Sequence, residues 1–136
     1  MRAVLDANVL VSALISRAGA PAGLVLRWLN GEFESVVSEQ LLAEVSRALA
    51  YPKIRSRVSA VEAAAFIQLL RATATVAVDP PVAQRRSRDP DDDYLVALAE
   101  SVEAVVVSGD RDLLALAPEL PVLAAAQFLG QLRAKD

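Results

Sequence analysis

Arg2-Ala3-Val4-Leu5-Asp6-Ala7-Asn8-Val9-Leu10-Val11-Ser12-Ala13-Leu14 is the stretch whose reading decides the fold. Val4 and Leu5 make a short apolar strand, and from Asn8 onward the apolar positions 10, 11, 14 and 15 recur at helical spacing. The period therefore changes between Asp6 and Asn8, which puts Asp6 at the C-terminal end of a strand. In an open sheet with helices on both faces that edge is where ligands bind, and a carboxylate there points into the crevice beyond the strand. A competing reading makes Asp6 or Asn8 a simple N-cap, since both types are favoured there.

Composition supports an α/β domain. The chain has 136 residues, enough for one domain spanning 1–136 with a real core. Apolar residues are 54% and aromatics only 4%, so the core is built from Val, Leu, Ile and Ala, as suits helices packed on a parallel sheet. No apolar run reaches the ~20 residues of a membrane span. Asp6 and Asn8 interrupt what would be the apolar part of a secretory signal, so the reading is a cytoplasmic protein with no membrane association.

Cysteine and histidine are both absent. That removes thiol nucleophiles, disulfides, imidazole bases and the usual zinc ligands. Catalysis would have to run on carboxylates, hydroxyls, Lys, Arg or Tyr, with a hard, oxygen-preferring cation such as Mg2+ or Mn2+ as the metal this inventory can hold. The net charge of -3 argues against a broad basic surface, although acids gathered in one cleft with arginines around it would give the same sum.

Further along, Pro21 opens a second helix running to about Asn30-Gly31, with Leu24, Val25, Trp28 and Leu29 as its stripe. Phe33 to Val37 reads as a strand. Ser38 caps a helix from Glu39 to Ala50 that stops before Pro52, with Leu41, Leu42, Val45, Ala48 and Leu49 on one face. Glu44 lies one step off that face, so its carboxylate emerges along the edge of the core. Lys53 to Val58 is a basic loop or short helix. Ser59 caps a long helix, and Thr75 to Val78 is a strand. Gln84-Arg85-Arg86-Ser87-Arg88 reads as an exposed loop.

Asp89-Pro90-Asp91-Asp92 has the signs of a helix start, with Asp89 at the N-cap and Pro90 in the first helical position. Asp92 stands three, four and seven residues before Leu95, Val96 and Ala99, on the inward face, where a charge needs a partner. Asp93 is expected to point away from that face, solvated or supporting. Ala104 to Val107 is a continuous apolar run of the central-strand kind, ending in Ser108-Gly109-Asp110-Arg111-Asp112. Asp110 is a second acid at a strand end, or the cap of the next helix. Leu120 to Leu123 is an edge strand, and a helix follows from Ala125 to about Arg133.

Four carboxylates thus have reason to converge: Asp6 and Asp110 at strand ends, Glu44 and Asp92 on helices. Clustered acids repel and raise one another's pKa, so such a site is stable chiefly when it holds a cation. Metal-assisted phosphodiester hydrolysis is the chemistry that fits.

The motifs Leu5-Asp6-Ala7-Asn8-Val9-Leu10-Val11-Ser12, Ser38 to Val45, Asp89 to Leu95 and Val107 to Leu113 together resemble the PIN-domain family, most closely its bacterial and archaeal toxins of toxin-antitoxin pairs. The resemblance covers essentially the whole chain. It implies a three-layer α/β/α sandwich around a mainly parallel sheet, and a Mg2+- or Mn2+-dependent ribonuclease that is often a homodimer silenced by a small antitoxin protein. Carried over by motif, the catalytic and metal-binding acids are Asp6, Glu44 and Asp110 together with one of the adjacent Asp92 and Asp93, of which an ungapped match back from Ser108 selects Asp92. Asn8, Ser108, Asp93 and Asp112 are supporting residues; Ser108 stands where many relatives have Thr, which keeps the hydroxyl.

Phosphates flanking a scissile bond need cations on the rim of an acidic crevice, and arginine can pair two oxygens. Arg85, Arg86 and Arg88 are the candidates for RNA binding, with Arg111 beside Asp110 and, failing these, Lys53, Arg55 and Arg57. A solvated charge run is the competing reading of that loop. Two other functions compete with the ribonuclease. A haloacid dehalogenase-like phosphatase also opens with an acid after its first strand but needs a second Asp where this chain has Asn8. A non-catalytic PIN-fold binding module is the other.

Overall fold

The computed structural model describes residues 1–81 and 92–135. Five parallel strands form the centre: β1 (Arg2–Leu5), β2 (Glu34–Val37), β3 (Thr75–Val76), β4 (Val105–Val107) and β5 (Val122–Leu123), in the spatial order β3-β2-β1-β4-β5. Helices α1 (Ala7–Ile15) and α2 (Ala20–Leu29) connect β1 to β2; α3 (Glu39–Ala50), α4 (Pro52–Arg55) and α5 (Ala60–Thr73) connect β2 to β3. The helix α6 (Asp93–Ser101) leads into β4, α7 (Arg111–Leu114) follows it, and α8 (Ala125–Arg133) comes after β5. All four strand pairings are parallel, so every strand delivers its C-terminal end to the same edge.

The order of strands explains where a site can form. From β1 the chain moves outward through β2 to β3, then returns to build β4 and β5 on the other side of β1. Successive crossovers thus diverge between β1 and β4, leaving a crevice beyond their C-terminal ends. The register pairs Ala3 with Val105, Val4 with Val106 and Leu5 with Val107, which brings Asp6 level with Ser108. The Asp6 amide donates to the Val107 carbonyl at 2.9 Å and continues the pairing past the strand.

Aliphatic strand residues make the core, including Val4, Leu5, Val36, Val106 and Val107, closed over by Leu10, Leu24, Leu41, Leu42, Leu95 and Leu98. Phe33 and Phe128 meet edge to face, with centroids 5.1 Å apart and planes at 82°, tying the start of β2 to α8. Gly23 lets α8 lie close to α2: a Cβ there would come within 3.2 Å of Leu129 Cδ2. Gly31, at φ +80, turns the chain out of α2 in the left-handed conformation that a side chain resists.

Ser38 caps α3 by accepting from the Leu41 amide, and Ser59 with Glu62 forms a reciprocal capping box on α5. The α2 stripe is narrower than its periodicity indicates: Leu24 and Trp28 are buried, Val25 partly so, and Leu29 is exposed near the helix end. Strand β2 begins at Glu34, where the pairing with Arg2 starts, one residue later than the apolar run, and Phe33 belongs to the aromatic pair. The edge strands β3 and β5 are each two residues long, shorter than their apolar runs, since each has a partner on one side only.

Candidate functional site

The crevice beyond β1 and β4 is a cleft of about 600 Å³, within the range of small-ligand sites. Asp6, Asn8, Glu44, Asp92 and Asp110 all line it. Residues far apart in the sequence meet here because two strand ends, the middle of α3 and the start of α6 reach one edge of the sheet.

Asp6 holds the N-cap position of α1 but makes no side-chain capping bond. Its carboxylate Oδ2 instead accepts from the Ser108 hydroxyl at 2.7 Å, across the β1–β4 pair. Ser108 is fully buried, and its Oγ in turn accepts from the Asp110 amide at 3.0 Å. One hydroxyl thus fixes Asp6 and the backbone of Asp110 relative to each other. Asp6 is only 5% exposed. Burial pushes its carboxyl above the usual range and the Asp110 charge adds to that, while the Ser108 hydroxyl and the neighbouring amides of Ala7 and Asn8 oppose it.

Asp110 is a cap as well as a cleft residue, since its Oδ1 accepts from the Asp112 amide at 2.8 Å at the start of α7. Both readings of that residue therefore hold. Glu44 is half-buried, and its Oε2 accepts from the Tyr94 hydroxyl at 2.6 Å. Burial, and then the Glu44 carboxylate, push the Tyr94 hydroxyl far above its ordinary pKa. It stays a neutral donor at any working pH, with Glu44 held between α3 and α6.

The two adjacent acids of α6 differ from the sequence expectation. Asp92 occupies the N-cap position of α6 and lines the cleft, half-buried, rather than lying along the inward face of an established helix. Asp93 is not solvated; it is 3% exposed and outside the cleft lining. Residues 93–96 are all buried, so the first turn of α6 has no solvent side for Asp93 to occupy. The Asp89-Pro90-Asp91 cap lies outside the described residues, as do Arg85, Arg86 and Arg88. Arg111 is exposed and does not line the cleft.

A PIN-domain model matches residues 2–112. The chain belongs to the PIN domain family. An uncharacterised protein of Methanocaldococcus jannaschii, MJ1680, is 26% identical over 119 residues, covering 88% of this chain and 77% of that protein. Among solved structures, PAE2754 from Pyrobaculum aerophilum superposes with a TM-score of 0.72 at 23% identity, covering 98% of this chain and 96% of its own. VapBC2 from Rickettsia felis, solved with a DNA fragment from its promoter, gives 0.65 at 13% identity, covering 91% and 98%. VapBC-1 from nontypeable Haemophilus influenzae gives 0.62 at 18%, covering 93% and 99%. These likenesses show the fold. The family match sets the phosphatase alternative aside.

The donors in this PIN domain's cleft are oxygens throughout, which suits a hard divalent cation. Among the described residues no three acids are gathered closely enough to form a ready-made metal cage. Sequence reasoning missed four residues here. Gln40, Arg47 and Tyr51 line the cleft from α3 and its end, and Tyr94 holds Glu44. Their spacing from Glu44, four before and three and seven after, is the signal that would have placed the first three on its face. Behind them, Asp79 Oδ2 accepts from the Gln40 amide at 3.1 Å, anchoring the first turn of α3.

Proposed function

We propose that this PIN domain is a Mg2+- or Mn2+-dependent endoribonuclease and the toxin of a toxin-antitoxin pair. The observation that carries the reading is the meeting of Asp6, Glu44, Asp92 and Asp110 in one cleft at the sheet's switch point, in a chain of the PIN family. These four would hold the ion, with Ser108 aligning Asp6 and Tyr94 aligning Glu44. When bound, the cation supplies Lewis acidity toward a phosphate oxygen and toward the attacking water. The protein's own part is positional. Asp6 and Asp110 present carboxylates at the ends of a paired strand couple, while Tyr94 holds Glu44 through Oε2. A cleft carboxylate can take the water's proton, a role that no histidine is present to fill.

The two VapBC structures among the neighbours support a small antitoxin protein as partner, and the motif resemblance to PIN toxins alone adds a homodimer as the toxin's own state. Cytoplasmic action on RNA follows from the same reading.

Cleavage of labelled single-stranded RNA by the purified chain, with Mg2+ or Mn2+ and with EDTA, tests the proposal. Metal-dependent cleavage lost in Asp6→Asn and Asp92→Asn, with the fold intact by circular dichroism, is the expected result. Undiminished cleavage by either variant or in EDTA would overturn it, and no cleavage by the native protein would favour the non-catalytic module. Mass spectrometry of the protein purified from its native cells checks for the antitoxin.

A further inference from the structure

We infer that the C-terminal half of α3 and its exit, Arg47 and Tyr51, form a subsite for the nucleotide next to the scissile phosphate of a single strand. Arg47 would pair that nucleotide's phosphate, and the Tyr51 ring would stack on its base. The inference rests on the ribonuclease reading and adds the direction in which the strand leaves the acids.

Gln40, Glu44, Arg47 and Tyr51 fall at i, i+4, i+7 and i+11 and line the same cleft, so they form one stripe along α3. At 1.5 Å per residue, Arg47 stands about 4.5 Å and Tyr51 about 10 Å beyond Glu44 along the axis. The stripe changes character along that distance. It is acidic at Glu44, cationic at Arg47 and aromatic at Tyr51.

Two features argue that these side chains are placed for a ligand. Arg47 is the one cation among the described residues lining the cleft, yet it makes no ion pair or hydrogen bond among them, despite the carboxylates sharing that space. Tyr51 is 64% exposed, an aromatic left in water on a cleft wall. Its backbone, by contrast, is fixed. Pro52 bars the helical conformation and holds Tyr51 extended, and the amides of Ile54 and Arg55 donate to its carbonyl at 3.0 and 2.8 Å. A ring on a fixed backbone loses little entropy on stacking.

The ligand class follows from the pairing. A phosphodiester strand crossing four carboxylates is repelled, so beyond the ion it needs a protein cation at the next phosphate. An exposed ring reads a base through its face, which is available only when the base is unstacked. A duplex offers no such face.

The test is anisotropy of a short fluorescent oligouridine titrated with the full chain in Ca2+, across a range of salt, with a gel confirming that the strand stays intact. Arg47→Ala should lower the slope of log affinity against log salt by about 0.7, the share of one phosphate contact on a single strand, and Arg47→Lys should retain it. Tyr51→Ala should weaken binding about tenfold with the slope unchanged, Tyr51→Phe should match the native protein, and an abasic strand should not register Tyr51→Ala.

Native slopes and affinities in both alanine variants overturn the subsite. So does equal Tyr51→Ala sensitivity on duplex and abasic strands. If the native chain cleaves RNA and the variants bind normally, only the subsite fails. If binding shows these dependences but cleavage never responds to metal, the subsite stands and the nuclease reading falls.

Discussion

Removing one oxygen atom, in Tyr94→Phe, separates orientation of the site from its composition. The Tyr94 hydroxyl is 2.6 Å from Glu44 Oε2, inside the 2.5–2.7 Å range of hydroxyl–carboxylate bonds. Such bonds to charged groups contribute about 1.5–3 kcal/mol. Glu44 is half-buried, so water replaces part of the loss and the lower end applies, about 1.5 kcal/mol. For a chain of 136 residues each kcal/mol shifts the melting midpoint by about 3–4 °C, so the metal-free variant should melt about 5 °C lower. The larger effect belongs to the metal. A group that orients a ligand typically carries 10–100-fold in metal affinity or activity, so the Mn2+ midpoint for activation should rise by about that factor. Calorimetry in EDTA and activity against Mn2+ concentration read the two effects. A cycle with Glu44→Gln isolates the pair, and the coupling should be about 1 kcal/mol or more. A lowered melting point with an unchanged Mn2+ midpoint would refute the orienting role, and no change in either would refute the bond's contribution altogether.

Asp6→Asn should raise the melting point of the metal-free protein at neutral pH. The folded state raises the Asp6 pKa, so its ionisation costs stability; that cost is absent below the ordinary value of 3.8, grows as pH rises toward the folded value and is complete above it. Melting curves in EDTA should therefore converge with the native protein's as pH falls toward 3.8, and curves that converge at high pH instead would reverse the reasoning. Added Mg2+ should stabilise the native chain by about 2.7 kcal/mol at a hundred times its dissociation constant, and Asp110→Asn by clearly less; equal shifts in a thermal-shift assay would remove Asp110 from the ligands. Replacing Arg85, Arg86 and Arg88 together with Ala should weaken RNA binding and flatten its salt dependence, with metal affinity little changed. Superimposable salt plots would assign those three arginines to solubility.

The two acid-bearing strand ends were legible because each rests on a change of period. At Leu5-Asp6 and Val107-Ser108 an apolar run stops and a helix begins, and the residue at the break must lie at the sheet edge whatever the neighbours are. Glu44 was legible from its place one step off the apolar face of α3. The Asp92–Asp93 assignment depended on something periodicity does not carry. Face arguments presume a helix with one side in water, and the first turn of α6 is enclosed all round. Tyr94 was hidden for a related reason, since a buried tyrosine beside Leu95 reads as core until the fold brings α3 across from α6. Arg47 and Tyr51 were visible in spacing and were passed over because neither type is an acid.

Asp6 is where the requirements of folding and of the proposed chemistry conflict most directly. A folding criterion alone would place an apolar residue at a position that is 5% exposed and next to another acid. The chain instead keeps a carboxyl there and surrounds it with a hydroxyl and two neighbouring amides that favour the ionised form, without cancelling the effect of burial. Ser108 is the economical part of this arrangement. Its single hydrogen goes to Asp6 and its lone pair to the Asp110 amide, so the same atom that eases one acid also sets its distance from the other. Ser108→Ala would therefore do more than delete a hydrogen bond. It would leave the Asp110 amide without its acceptor and Asp6 without its strongest support, and an incoming cation would have to order both strand ends itself. The burial cost that these partners leave uncompensated at Asp6 is what the proposed cation would offset, so this edge of the sheet would gain most from its binding.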